Sequence, residues 1–146
     1  MPATNATLIT ELIATTNRVT RMAARLTARP RNATHYRTLG LLRQFGPSRI
    51  GEIAAHERIS QPGATKIVAA LEAEGFVARE NDPDDGRASV ITITPLGLTA
   101  LDSWMTELGD ALLPVFGDLS DADRAALART IALLESSLNS QGNPRK

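Results

Sequence analysis

The chain has 146 residues, 42% hydrophobic and 22% charged, the size and balance of one globular domain with its own core rather than a disordered or membrane-spanning chain. It has no cysteine, which excludes a disulfide framework, thiol catalysis, a zinc ribbon and a thiol redox switch. The formal charge of zero hides an uneven distribution: ten basic residues (Arg18, Arg21, Arg25, Arg29, Arg31, Arg37, Arg43, Arg49, Arg58, Lys66) oppose only Glu52 and Glu57 between residues 17 and 66, and the acids dominate afterwards. That asymmetry suits a polyanion-facing half joined to an acidic half, although folding can interleave the two.

In chain order, Met1 to Thr7 lacks the charged and apolar regions of a secretory signal, and no apolar run approaches the roughly 20 residues of a membrane span, so the expected address is cytoplasmic. Leu8, Leu12, Val19, Met22 and Leu26 recur at helical steps and predict a long first helix ended by Pro30. A second helix is predicted from Asn32 or Thr34 to Phe45, with Leu39, Leu42 and Phe45 on one face and Gly46-Pro47 as its stop. Ile50, Ile53 and Ala54 mark a short third helix that breaks near His56-Glu57-Arg58. Ser60 is a good N-cap for a fourth, Pro62 sits in its first turn, and Ile67, Val68 and Leu71 form its buried stripe up to Gly75. The spacing is that of a helix-turn-helix.

After Gly75 the hydrophobic period changes from helical to alternating. Phe76 to Glu80 and Ser89 to Thr94 predict two strands, with Ile91 and Ile93 on one face, and Asn81 to Ala88 as a loop longer than a tight hairpin turn. Pro95 opens a long helix with a heptad seam of Leu98, Leu101, Met105, Leu108, Leu112 and Val115, in which Pro114 should kink or end the helix. Ser120 to Asp123 reads as the start of a last helix carrying Leu127, Ile131, Leu134 and Leu138. The expected fold is therefore mainly α with a small β-hairpin: one domain over residues 1–146, with a winged helix-turn-helix at 32–95, helical dimerisation regions at 7–29 and 96–139, and a polar tail at 140–146. The terminal apolar stripes call for a second copy of the chain or for packing on each other within one chain.

The run Ser60-Gln61-Pro62-Gly63-Ala64-Thr65-Lys66-Ile67-Val68, the continuation Leu71 to Arg79, the wing Asp82-Pro83-Asp84-Asp85-Gly86-Arg87 and the segment Thr94-Pro95-Leu96-Gly97 resemble the MarR family of bacterial transcriptional regulators. The resemblance implies a homodimer with a helical dimer domain and small-molecule control of operator binding. It also implies that Arg87 enters the DNA minor groove, with Asp85, and Asp82 beside it, orienting the arginine. Ala69-Ala70 departs from the acidic-basic pair common in the family, so fewer base contacts are expected from the later turns of the fourth helix.

The residues themselves offer a DNA-facing set. Gln61, Thr65 and Lys66 lie in the first turns of a helix suited to the major groove, Gly63 allows close approach, Ser60 starts the helix, and Ser48 and Arg49 precede the motif where they can hold the backbone. Taken alone, Gln61 and Lys66 also fit a solvated helix face. A small anionic aromatic effector is expected near Arg21, Arg25, His35, Tyr36 and Trp104, residues that equally fit a solvated basic face and a core. Enzyme chemistry is not expected: the chain has two histidines, no Walker-type loop and no Gly-x-Ser-x-Gly elbow. Neither a cofactor nor a metal is expected, since the wing acids do not follow the EF-hand spacing and position 93 is Ile. The expected function is a ligand-responsive repressor binding a pseudo-palindromic double-stranded operator; the alternative is a winged-helix module for protein partners.

Overall fold

The computed structural model describes residues 2–27 and 32–140. Its elements are α1 (Asn5–Leu26), α2 (Ala33–Phe45), α3 (Ile50–Glu57), α4 (Gln61–Ala73), β1 (Val77–Asn81), β2 (Ser89–Ile93), α5 (Pro95–Phe116) and α6 (Asp121–Ser140). Among the described residues no helix is long and apolar enough to cross a membrane. Pro30, Arg29, Arg31 and the polar tail from Gln141 lie outside the described residues.

The helix boundaries follow local chemistry. Asn32 caps α2, its side chain accepting from the Thr34 amide at 3.1 Å, and Gly46 ends the helix at φ +75°, a conformation that costs glycine little. Ser60 caps α4 by accepting the Gly63 amide at 3.1 Å, and a Cβ at position 63 would itself lie 3.1 Å from that Ser60 oxygen. Between α3 and α4 the chain turns through Arg58, which holds φ +52° without being glycine. A left-handed arginine costs about 1 kcal/mol or more, and the turn bears it because the Arg58 amide donates back to Ala54 and Ala55.

The chain divides into two compact units, one up to Leu112 and one from Leu113 onward. In the first unit, Leu39 and Leu42 of α2, Ile53 of α3, Val68 and Leu71 of α4, Val77 of β1, Ile91 of β2 and Leu101 of α5 form one buried cluster. β1 and β2 pair antiparallel, from Val77 opposite Ile93 to Asn81 opposite Ser89. A further bridge joins Ser48 to Ile91, with the Ser48 amide donating to the Ile91 carbonyl at 3.1 Å and the Ile91 amide returning a bond of 2.8 Å. The hairpin is thus stitched to the segment between α2 and α3, a link that periodicity does not reveal.

The heptad seam of α5 divides between two environments. Leu101 and Leu108 are buried, whereas Leu98, Met105 and Val115 are exposed. Pro114 stays inside α5, which ends two residues later at Phe116, and Gly117 follows at φ +60°. α6, in the second unit, buries none of its residues and leaves Leu127, Ile131, Leu133 and Leu138 exposed. In α1, likewise, only Ala23 is buried, while Leu8, Ile9, Ile13, Met22 and Leu26 are exposed. Most of the apolar residues predicted for these terminal stripes are therefore exposed, with Leu12, Val19 and Leu134 half-buried.

The start of α5 is the tightest backbone junction. Thr94 donates through its hydroxyl to the Gly75 carbonyl at 2.6 Å and accepts from the Gly97 amide at 3.1 Å, so one side chain caps α5 and ties it to the end of α4. A Cβ at position 97 would lie 2.1 Å from the Phe76 carbonyl oxygen. Gly97→Ala is therefore expected to destabilise the chain by about 1 to 3 kcal/mol or more, because the obstacle is backbone; urea unfolding of the two proteins measures it.

Candidate nucleic-acid interface

Burying Ala64, Val68 and Leu71 fixes which side of α4 faces out. Gln61, Pro62, Thr65, Lys66 and Ala69 are exposed on that side. Thr65 donates its hydroxyl to the Gln61 carbonyl at 3.0 Å, an i−4 bond that engages the only donor of the side chain. One turn beyond Ala69 the exposed face becomes acidic at Glu72, which pairs with Arg79 of β1 at 3.4 Å. The first two turns of α4 therefore carry its uncommitted polar groups, as the Ala69-Ala70 departure suggests. Ser60 spends its side-chain acceptor on the cap.

The wing loop, Asp82 to Ala88, consists of two turns back to back. The Asp85 amide donates to the Asp82 carbonyl at 3.3 Å, the Ala88 amide to the Asp85 carbonyl at 2.9 Å, and the Asp82 amide closes the loop onto the Ala88 carbonyl at 2.9 Å. Its carboxylates hold this backbone: Asp82 Oδ1 accepts from the Asp84 amide at 2.9 Å and Asp85 Oδ1 from the Arg87 amide at 3.1 Å. The expected pairing of Asp85 and Asp82 with the Arg87 guanidinium is not what the structure shows. Asp85 bonds the backbone of Arg87 because a short Asx side chain reaches an amide two residues on more readily than a long, exposed guanidinium. The Arg87 side chain has no hydrogen bond or ion pair among the described residues, and Lys66 has none either.

The partner of Asp82 is Arg49, at the N-cap of α3: Nε donates to Oδ2 at 2.7 Å. Asp82 is buried, whereas the Arg49 side chain is 45% exposed. The hydrogen bond that Arg49 donates to Asp82, reinforced by the negative charge of the carboxylate, raises the Arg49 pKa above the ordinary arginine value. Ser48 stands differently from its expectation as a backbone-holding group. It is buried, its hydroxyl donating to the Gly46 carbonyl at 3.0 Å, because its main chain is bridged to β2.

A groove of about 520 Å³ lies in the first unit, lined by residues of α1, α2, α3 and α5. Tyr36 and Trp104 stack at its wall with ring centroids 4.7 Å apart, and Phe45 stacks on His56 at 4.6 Å. Of the residues expected to meet an effector, Tyr36 and Trp104 line it, whereas Arg21, Arg25 and His35 do not. Arg21 and Arg25 are exposed on α1, where the neighbour that reaches the groove is Thr20. The cations in the lining are instead Arg37, paired with the largely buried Glu57, and Arg43, paired with Asp102 at 2.7 Å. The pattern gave no warning of these two, since each pair is made between helices far apart in sequence.

A buried three-helix core with an outward α4, followed by a hairpin whose loop carries a free arginine, is the geometry of a winged helix-turn-helix. Residues 32–89 match a family model described as MarR family. Over this segment the chain resembles the MarR family. Among its relatives, the uncharacterized HTH-type transcriptional regulator YxaD of Bacillus subtilis is 42% identical over 62 residues, which cover 42% of this chain and 43% of YxaD. The HTH-type transcriptional repressor IacR of Pseudomonas putida is 28% identical over 99 residues, 68% of this chain and 59% of IacR. The matched stretch thus spans about half the length of these two relatives. A solved structure of Bordetella bronchiseptica BpsR, which concerns regulation of its DNA binding by 6-hydroxynicotinic acid, shares the fold of this chain with a TM-score of 0.56, at 20% identity over 92% of this chain and 98% of that one.

Proposed function

We propose that this chain binds double-stranded DNA as a MarR-type transcriptional regulator: a homodimeric repressor on a pseudo-palindromic operator, released when a small anionic aromatic molecule occupies the groove. The observation that carries the DNA reading is the pair of uncommitted cations, Lys66 on the outward face of α4 and Arg87 at the wing, displayed by one packed core. Gln61 reads a base edge or a phosphate. Thr65, its hydroxyl engaged, offers its methyl to a thymine methyl, and Lys66 reaches a guanine or the backbone. Arg87 suits the narrow, electronegative minor groove. This face holds no apolar anchor of the kind that a protein partner would need, which sets the protein-module reading second.

The names of the relatives support regulation, and the repressor sense follows the name of IacR. Dimerisation is supported by the exposed apolar residues of α1 and α6, among them Leu8, Ile13, Ile131 and Leu138. The effector reading rests on the aromatic wall of Tyr36 and Trp104 beside Arg43, and on the regulation of BpsR.

Three outcomes test these statements. Binding to a duplex selected from a random-sequence pool should weaken about tenfold or more in Arg87→Ala, with folding unchanged, while Lys66→Ala should either flatten the salt dependence by about one counterion or relax one base position; gel shifts at two salt concentrations measure both, and unaltered binding by Arg87→Ala would favour the protein-module reading. Sedimentation at micromolar concentration should give twice the chain mass, and Leu133→Glu with Ile131→Glu should lower it. Because Trp104 is the only tryptophan, its emission should change on titration with a benzoate-class carboxylate, and Arg43→Ala should raise the concentration required.

A further inference from the structure

The acids of the wing stand close to where phosphates are expected, and Asp82 is the one that the fold buries. Its carboxylate serves two groups from different parts of the chain, the Asp84 amide inside the wing and the Arg49 Nε at the start of α3, 33 residues away in sequence. Arg49 uses only Nε in this pair, so both terminal NH2 groups of the guanidinium, on a side chain 45% exposed, keep their donors. A guanidinium is planar and rigid, so holding one edge fixes the direction of the other.

We propose that Asp82 is a positioning residue of the DNA interface: buried beneath the wing, it grips Arg49 by Nε and aims the remaining guanidinium donors at a DNA phosphate, locking α3 and the wing into one binding surface. This rests on the DNA-binding reading above and extends it to a residue that touches no DNA. The role expected for an orienting carboxylate exists in this chain, but its arginine is Arg49 and not Arg87. The geometry also accounts for an acid at this place, since a carboxylate with two partners here costs less attraction for DNA than its charge alone implies.

The test turns on sign. Asp82→Asn removes a negative charge yet keeps an oxygen for the Asp84 amide, so long-range electrostatics alone would tighten DNA binding. The proposal requires the reverse: affinity of the full chain for the selected duplex should fall about three- to tenfold, with a salt slope lower by about one counterion. In an Arg49→Ala background the same substitution should then change little, because the group it positions is gone. Thermal unfolding of each variant checks the fold. Should Asp82→Asn fail to fold, Arg49→Lys serves instead: it keeps the charge but lacks the planar fork whose held edge aims the other, so affinity should fall about three- to tenfold, and binding equal to that of the wild type overturns the positioning role. Binding by Asp82→Asn that is unchanged or tighter, or a loss that persists undiminished in the Arg49→Ala background, overturns the positioning role while leaving DNA binding itself standing. A wild-type chain that binds no duplex overturns both.

Discussion

Everything that the outward side of α4 presents depends on what its inward side buries. Ala64, Val68 and Leu71 meet Leu39 and Leu42 of α2 and Ile53 of α3, and no rotation of α4 could expose Gln61, Thr65 and Lys66 differently without bringing one of these apolar side chains into water. At about 25 cal/mol per Å2 of apolar surface, each such exposure costs more than any single surface hydrogen bond returns. Recognition chemistry is thus specified indirectly, by a helix locked through its apolar face. The Ser60 cap and the Gly46 stop set where the flanking helices begin and end, and the left-handed Arg58 makes the corner between α3 and α4.

Charge arrangement repeats the lesson at smaller scale. Counted along the sequence, the wing has three acids and one base, a poor advertisement for a surface that meets phosphates. Counted by partner, Asp82 is engaged by Arg49 and an amide, and Asp85 by the Arg87 amide. What remains outward includes the Arg87 guanidinium, which has no partner among the described residues. The groove shows the same economy, with Arg37 and Arg43 each held by a carboxylate from another helix.

Much of this was legible in the chain. The order of helices and strands follows from hydrophobic periods and from punctuation by Ser60, Gly46 and Pro95, because those signals are local and act within a turn or two. The outward placement of Gln61, Thr65 and Lys66 follows from the same period. What the sequence withheld is tertiary: the bridge from Ser48 to Ile91, which buries a serine expected at the surface; the choice of Arg49 as the partner of Asp82; and the groove cations at positions 37 and 43 rather than 21 and 25. Each joins residues too far apart in sequence for spacing to pair them. The acid-rich wing pattern suggested an orienting carboxylate without naming the arginine, since a charge pattern fixes a role before it fixes a partner.

The bridge through Ser48 has a mechanical side. With its main chain bonded to Ile91 in both directions, the segment between α2 and α3 cannot shift without carrying β2, and the wing root is tied to the same place by Arg49. The hairpin is therefore no loose flap to be lifted by a molecule lodged beside Trp104. Under the proposed function, whatever enters the groove would have to displace the helix-turn-helix and wing as one piece, and the quantity left to regulate would be the separation between two such pieces, measured against the helical repeat of a shared DNA.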